Sequence, residues 1–459
     1  MAGPLFGRPL REQHFLFQEG FVDLNHGCLG TYPRSVRQRL RELQDMAEAA
    51  PDCFKLYDFP RLLEESHAAM AEFLRTSTDE LAFVENTTMA IDGLLRTLQF
   101  QPGDLILYFD TTHDHTKNII TRTVESTPAG AVQLHNTYPV TDREILQLFR
   151  TALTNHRGQV KIAILDTVTA LPAARLPFES LIEVAREEGV LTLLDGAHGI
   201  GHLPLDLGTL KPDFFVADCH KWLFVPRPCT VFHCPRRHHD MFRDAATCRY
   251  FHEDPGNLSA PTRELASPDP PSEVTAHSTE CRTRLANNDF DTQYERADAV
   301  GSVPCLCIPE ALRFRREVCG GEAEIMAYCV NLSRKMASRV ASILFTASME
   351  GDFVRDCCMF SVMLPLKLAG GITDENDAIL KQMVPFMTAL PLEEASEVTK
   401  YMTKKLLEEH RVSIAIFIYK SIWWARFSSQ VYLQEEDFEH GARALKAVCL
   451  EIREGKHLQ

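Results

Sequence analysis

One aspartate and one lysine stand out because each follows a short apolar run that is typical of a buried β-strand. Asp195 ends the run in LLDGAHGIGH (193–202), and Lys221 follows the run in FFVADCHKWLF (214–224). Burial destabilises the charged form of a lysine, so a buried amine can act as a nucleophile and form a Schiff base with a carbonyl compound. A carboxylate at a neighbouring strand end can keep a pyridine nitrogen protonated, so that the ring withdraws electrons.

Two further segments carry groups that suit the same chemistry. His198 follows Asp195 by three residues and could hydrogen-bond a phenolic oxygen on such a ring. In ENTTMAI (85–91) a strand end is followed by Thr87, Thr88 and a helix. Free N–H groups and hydroxyls at a helix start can bind a phosphate, although an ordinary threonine N-cap explains the same pattern.

The elements that must position these residues follow from the alternation of short apolar strands with helices from residue 80 onward. Because the strands are continuously apolar, we expect a mostly parallel sheet that is covered by helices on both faces. Ligands bind at the carboxyl ends of the strands in such sheets, which is where Asp195 and Lys221 fall. The predicted strands are 81–86, 104–110, 131–136, 160–167, 190–195, 213–218 and 230–234, and the helices between them are 87–98, 115–125, 142–154 and 177–189.

Two domains are expected. Residues 50–300 are predicted to form the large α/β domain, with a proline- and serine-rich surface insertion at 252–285. Residues 301–459 segregate helices from strands, which predicts a smaller α+β domain, and residues 1–49 are expected to join it. The other predicted elements are helices 34–49, 60–75, 308–318, 322–345, 392–409 and 434–453 and strands 357–366, 412–419 and 423–429.

Composition excludes several classes of function. The 459 residues contain 48 Lys and Arg against 63 Asp and Glu, so the formal net charge is −15, and nucleic-acid binding is not expected. No run approaches about 18 apolar residues, so no membrane span is predicted. The N terminus lacks a signal-peptide pattern, and we expect a cytoplasmic protein. The 14 cysteines lack C-x-x-C and zinc-ligand spacing, so no metal site is expected.

Over most of its length the chain resembles the class V aminotransferase-fold enzymes that use pyridoxal 5′-phosphate (PLP). Within them it is most similar to the isopenicillin-N-epimerase-like branch, which includes ergothioneine-pathway sulfoxide lyases and PLP enzymes of fungal alkaloid pathways such as loline biosynthesis. The strings that carry the resemblance are FGRPLREQHFLF (6–17), LNHGCLGTYP (24–33), ENTTMAI, DTVTALPAARLP (166–177), DGAHGIGHLPLDL (195–207), CHKWLFVPR (219–227) and WWARFSSQVY (423–432). The resemblance implies PLP fold type I and a homodimer.

The resemblance also implies which residues hold the cofactor. A lysine would hold PLP as a Schiff base, an aspartate would pair with the pyridine nitrogen, and a histidine would lie near the phenolic oxygen. These residues are Lys221, Asp195 and His198. The residues that would contact the phosphate are Thr87, Thr88 and His220, and the residue that would stack on the ring is His113.

Three more residues are implied to bind the substrate. Asn25 and His26 would face it, and Arg426 falls where relatives bind the substrate carboxylate. An arginine suits that task because its guanidinium pairs with a carboxylate bidentately.

The chain also departs from the branch. Lyase-like relatives usually carry a Gly-Thr pair that reaches the partner subunit's cofactor phosphate, and in YERADAV (294–300) Asp298 and Ala299 replace it. His113-Asp114 stands where many relatives have a ring-stacking Tyr-Gly, and ALPA (170–173) stands for Ser-Leu-Pro-Gly. The cofactor chemistry therefore carries over better than the substrate does.

Several reactions remain open. We expect loss of a group from an amino-acid-derived substrate, either by elimination, including C–S cleavage, or by decarboxylation with C–C bond formation, in specialised natural-product biosynthesis. Cα epimerisation and transamination are alternatives, and a non-catalytic PLP-fold binding protein is the alternative from another class. Visible absorbance that responds to amino acids would distinguish an enzyme from a binding protein.

Overall fold

The computed structural model describes residues 5–243, 303–371 and 383–458, so the predicted insertion at 252–285 and the segment 294–300 lie outside it. Within those residues the strands are β1 (Val22–Asp23), β2 (Leu81–Val84), β3 (Leu105–Phe109), β4 (Gly130–Leu134), β5 (Val160–Asp166), β6 (Val168–Thr169), β7 (Ala174–Arg175), β8 (Leu191–Asp195), β9 (Phe214–Asp218), β10 (Thr230–His233), β11 (Met359–Leu368), β12 (Thr388–Leu390), β13 (Val412–Ser413), β14 (Ala415–Tyr419) and β15 (Ile422–Ser428).

The α-helices of the same residues are α1 (Arg8–His14), α2 (His26–Leu29), α3 (Arg34–Ala49), α4 (Pro51–Cys53), α5 (Phe59–Leu74), α6 (Thr87–Thr97), α7 (Asp114–Ser126), α8 (Asp142–Asn155), α9 (Phe178–Glu187), α10 (Leu207–Leu210), α11 (Cys219–Trp222), α12 (Asp240–Arg243), α13 (Ile308–Glu317), α14 (Glu322–Leu344), α15 (Ala395–Glu408) and α16 (Glu435–Arg453). None of these helices is both long and apolar enough to cross a membrane.

A seven-stranded sheet carries the candidate site. Its strand order is β2-β10-β9-β8-β5-β3-β4, and all neighbouring pairs are parallel except the two that involve β10. Only residues 219–229 link β9 to β10. A parallel return needs a crossover of a dozen or more residues, so this short connection forces β10 to run antiparallel.

Helices cover both faces of this sheet, as the apolar strands predicted. Phe214 and Val216 of β9 pack in one cluster with residues of α6 and α7. Phe215 and Ala217 of the same strand pack in a second cluster with residues of α8 and α9. Side chains alternate between the two faces along a strand, so β9 must be apolar throughout. The predicted α/β class is confirmed.

A second sheet, with the order β12-β11-β15-β14, lies in the C-terminal part of the chain. Helices α14 and α16 pack against each other and against β11. The N-terminal strand β1 pairs in parallel with β13, with Val22 opposite Val412. An N-terminal segment thus joins the C-terminal part of the chain, while the predicted domain boundaries stay a prediction.

Candidate active site

Three aspartates end neighbouring strands of the large sheet: Asp166 on β5, Asp195 on β8 and Asp218 on β9. The register places Asp166 opposite Asp195, and Asp195 opposite Val216. Because parallel strands end at the same edge, the three carboxyl groups lie at one edge of the sheet, where ligands bind in such folds. Their exposed fractions are only 5%, 6% and 7%.

Asp195 is held by the turn that follows its strand. Its Oδ1 accepts the backbone N–H of Ala197 at 2.9 Å. Burial raises the pKa of Asp195 to about 6, although the Ala197 hydrogen bond and the Lys221 charge act in the opposite direction. A cationic N–H donor beside this carboxyl would stabilise its ionised form. The position therefore suits the predicted partner of a protonated pyridine nitrogen.

Lys221 lies in α11, a single helical turn that follows β9, and its side chain is 13% exposed. Its Nζ lies 3.1 Å from Oδ2 of Asp218. This carboxylate is a partner that the sequence analysis did not assign to Lys221. The missed partner stands three residues earlier, a spacing at which side chains meet on a helical turn.

Asp218 also holds the start of α6. Its Oδ1 accepts the Thr87 N–H at 3.3 Å, the Thr87 hydroxyl at 2.7 Å and the Thr230 hydroxyl at 2.6 Å. Burial raises the pKa of Asp218, but the charges of Lys221 and His220 and these hydrogen bonds outweigh it and lower the pKa to about 2. The Thr87 hydroxyl, which is predicted to contact a phosphate, therefore donates a hydrogen bond to a carboxylate in this structure.

Thr88 and His220 are the other residues predicted to contact a phosphate. Thr88 is half-buried in the first turn of α6, but the N-cap is Asn86, whose side chain accepts the Met89 N–H at 2.9 Å. His220 Nδ1 lies 3.1 Å from the carbonyl oxygen of Cys229. A carbonyl only accepts, so Nδ1 carries the hydrogen and Nε2 remains for another ligand.

His198 is oriented by a tryptophan. Trp222 Nε1 donates to His198 Nδ1 at 3.4 Å, so the neutral ring carries its hydrogen on Nε2. Burial, together with the Lys221 charge, holds the pKa of His198 well below its ordinary value. His198 is thus neutral at physiological pH, and its Nε2–H can donate to an anionic oxygen such as a phenolate.

His113 is the N-cap of α7, and its Nδ1 accepts the backbone N–H of His115 at 3.2 Å. Partial burial and then the positive charge of Lys221 lower the pKa of His113. The ring is accessible to a ligand, so the predicted stacking role stays a prediction.

Arg426 reaches from β15 towards the N-terminal segment and is only 4% exposed. It donates from one terminal nitrogen to Asn25 Oδ1 at 2.7 Å and from the other to the carbonyl of Ala170 at 3.0 Å. Its Nε has no hydrogen-bond partner among the described residues. Within the same part of the chain no carboxylate lies at ion-pair distance from Arg426, although the charge of the buried Asp23 acts on it from farther away.

His26, which is predicted to face the substrate, has no exposed surface in this structure, and its role stays a prediction. Its Nδ1 lies 2.9 Å from the Tyr432 hydroxyl, and burial lowers its pKa to about 3. The same segment packs closely on the lysine turn, since a Cβ on Gly30 would lie 2.1 Å from the carbonyl oxygen of His220 and 2.6 Å from that of Lys221. The segment that contains His26 and Gly30 thus packs against the helical turn that carries Lys221.

Two further predictions concern the position of the usual Gly-Thr pair and metal binding. Asp298 and Ala299, which replace the usual Gly-Thr pair, lie outside the described residues. Within residues 5–243, 303–371 and 383–458, no group of three His, Cys, Asp or Glu side chains is arranged to hold a metal ion.

Comparison with known proteins identifies relatives along the whole chain. Residues 55–244 match the family described as Aminotransferase class-V. The L-cysteine desulfhydrase-like protein lolT1 of Epichloe uncinata is 34% identical over 460 residues, which cover 97% of this chain and 96% of that protein. The hercynylcysteine sulfoxide lyase of Schizosaccharomyces pombe is 22% identical over 452 residues, which cover 97% of this chain and 98% of the relative.

The fold also matches solved structures. A lysine-to-alanine mutant of C-DES, solved with glycine covalently linked to its PLP cofactor, superposes with a TM-score of 0.68 at 17% sequence identity. The match covers 93% of this chain and 97% of that structure. The predicted fold type I architecture is therefore confirmed.

Proposed function

The chain belongs to the class V aminotransferase family, and on that premise we propose that it is a PLP-dependent lyase-like enzyme acting on an amino-acid-derived substrate. The observation that carries the proposal is the convergence of Lys221, Asp195 and His198 at one edge of the sheet, with their orientations set by Asp218, Ala197 and Trp222.

The residues at this edge fit PLP. Burial raises the pKa of the Asp195 carboxyl, and this hydrogen-bond acceptor suits the pyridine N–H. The Nε2–H of His198 suits the phenolate oxygen, and the accessible ring of His113 suits stacking. PLP bound through Lys221 would supply an electron sink for charge that develops at the substrate Cα.

Arg426 would bind the substrate carboxylate. It is the buried cation without an ion-pair partner described above, and Asn25 and the Ala170 carbonyl fix its guanidinium plane. An incoming carboxylate would supply a direct ion pair, which Arg426 lacks among the described residues, and an acceptor for Nε. By anchoring the carboxylate, Arg426 would determine which Cα substituent is positioned for loss.

Lys221 would move the proton. Its Nζ amine would take a proton from the substrate Cα and return it elsewhere. Asp218, 3.1 Å away, would stabilise the ammonium that results. Removal of that proton would precede loss of a β-substituent, such as a sulfur group.

C–S cleavage is the reaction that we favour among the group-loss reactions. Two relatives that match along almost their full length are named as a desulfhydrase-like protein and a sulfoxide lyase. Decarboxylation with C–C bond formation is the second possibility, and the resemblance to alkaloid-pathway enzymes supports a place in specialised natural-product biosynthesis.

We also propose that the enzyme is a cytoplasmic homodimer. Leu29 precedes Gly30, which packs on the Lys221 turn, and Met89 lies two residues after Thr87. These two side chains expose 62% and 48% of their surface, and a partner subunit could cover them. Twelve cysteines of the described residues are free thiols, which is compatible with a reducing compartment.

The test is to incubate the purified, PLP-loaded chain with S-substituted and unsubstituted amino acids and to identify products by mass spectrometry. Loss of a sulfur group with formation of a keto acid and ammonia would support the proposal. A product of unchanged mass with inverted configuration would indicate an epimerase, and conversion of the cofactor to pyridoxamine phosphate would indicate an aminotransferase.

A further inference from the structure

A buried carboxylate lies among the groups predicted to bind the cofactor phosphate. Asp218 accepts both the N–H and the hydroxyl of Thr87, and its other oxygen pairs with Lys221. It is 7% exposed, so little water screens its charge. A phosphate brought to Thr87 would meet this anion at close range.

We propose that Asp218 limits the affinity of the cofactor-free chain for phosphate-bearing ligands, because its buried carboxylate repels the phosphate and neutralises the Lys221 ammonium. The proposal rests on the proposed function and on the implied contact of the cofactor phosphate with Thr87 at the start of α6. Both effects come from the charge of the carboxylate, so a substitution that keeps the hydrogen bond from the Thr87 hydroxyl still tests them.

The Asp218–Lys221 pair allows a charge series. The wild-type pair is neutral, Asp218→Asn leaves one positive charge, Lys221→Ala leaves one negative charge, and the double variant is again neutral. Asparagine has nearly the shape of aspartate, and its Oδ1 can still accept from Thr87 and Thr230. The start of α6 should therefore keep its position in Asp218→Asn, while the repulsion of a dianion is removed.

The measurement is calorimetric titration of the full-length, PLP-free chain at neutral pH with inorganic phosphate and with pyridoxamine 5′-phosphate, which has no aldehyde to react with a lysine. Asp218→Asn should bind both ligands at least about tenfold more tightly than wild type, a factor that corresponds to about 1.4 kcal/mol. Pyridoxamine without the phosphate should bind both proteins equally. Lys221→Ala should bind phosphate more weakly than wild type, and the double variant should return towards the wild-type value.

Asp110→Asn is the matched control. Asp110 directly follows β3, which is separated from β9 by β5 and β8, so three strand spacings place it about 14 Å from Asp218. Its removal should leave phosphate affinity unchanged. A melting temperature equal to that of wild type would show that Asp218→Asn is folded.

A folded Asp218→Asn that binds phosphate no more tightly than wild type would overturn the proposal. If that variant does not fold, Lys221→Ala carries the test, because phosphate binding equal to or tighter than wild type would contradict it. These titrations need no turnover, whereas borohydride fixation of PLP to Lys221 tests the proposed function. The two ideas can therefore fail separately.

Discussion

Replacing Arg426 with alanine is expected to weaken binding of carboxylate-bearing substrates while PLP stays bound. Arg426 lies on β15 in the second sheet, whereas Lys221, Asp195 and His198 belong to segments of the large sheet. The charge of Arg426 is buried and has no ion pair within the described residues, and its Nε lacks a partner. Its loss therefore removes a binding group rather than a support of the cofactor.

The magnitude follows from the hydrogen bonds that the guanidinium can make. Hydrogen bonds to charged groups contribute roughly 1.5–3 kcal/mol, so affinity for the substrate carboxylate should fall by about 10- to 150-fold. The variant also leaves Asn25 Oδ1 and the Ala170 carbonyl without their donor. A fall in stability of about 1–3 kcal/mol should therefore accompany the loss of affinity.

The assay is a spectrophotometric titration of the PLP-loaded chain with an amino acid and with the amine that lacks its carboxylate. Arg426→Ala should weaken binding of the amino acid and not of the amine. Arg426→Lys should recover part of the lost affinity, because lysine restores the charge but not the bidentate geometry of the guanidinium. Arg315 offers a matched control, since it is equally buried but pairs with Glu322 at 2.7 and 2.5 Å. Arg315→Lys should reduce stability without discriminating between the ligands. If Arg426→Ala binds the amino acid as wild type does, Arg426 is not the carboxylate anchor.

Three more predictions test the site and the assembly. Lys221→Ala should abolish covalent attachment of PLP, and borohydride reduction with peptide mapping of the wild type should find the cofactor on Lys221; modification of another lysine would refute the assignment. Asp195→Asn should make the PLP-free chain more stable to urea at neutral and alkaline pH. The folded pKa of Asp195, about 6, exceeds the unfolded value of about 3.9, so the wild type loses stability as pH rises from about 4 to about 6. The loss is on the order of 3 kcal/mol, at about 1.36 kcal/mol per pKa unit. Wild type and variant with parallel stability–pH curves would contradict this. The enzyme should run as a dimer in light scattering at assay concentration, and a fully active monomer would disprove the proposed assembly.

Much of the fold could be predicted because local patterns agree with it. The helix predicted at 142–154 is found at Asp142–Asn155, where Thr141 and Glu144 form a capping box that defines its start. The strand predicted at 213–218 is found at Phe214–Asp218, since both faces of the sheet are covered.

Pairing partners could not be predicted in the same way. The single apolar run at 412–419 is divided into β13, which pairs with β1, and β14, which pairs with β15. Periodicity indicates that a strand forms and which face is buried, but the hydrogen-bonded partner decides which sheet it joins, and the partner of β13 lies hundreds of positions away. The antiparallel direction of β10 was not predicted, although the short connection between the predicted strands 213–218 and 230–234 indicates it.

In the candidate site, too, residue type alone does not determine the pKa of a side chain, because the neighbouring groups do. Asp166, Asp195 and Asp218 are the same residue at the same kind of position, each at the carboxyl end of a buried strand. Burial raises the pKa of Asp195 to about 6. Burial, together with the Asp195 charge, also raises the pKa of Asp166 well above its ordinary value. Asp218 is equally buried, yet its pKa falls to about 2 because a lysine and two threonine hydroxyls surround it.

These differences give the three carboxyl groups different capacities. Asp218 has its charge compensated within the protein, so it has little need of an external cation and opposes an external anion. Among the described residues the Asp195 carboxyl accepts one hydrogen bond, from the Ala197 N–H, so a ligand that brings a cationic N–H would relieve the cost of its burial. The cofactor nitrogen should therefore be attracted to Asp195 and the cofactor phosphate opposed by Asp218, and the net affinity for PLP reflects the balance of these two buried aspartates.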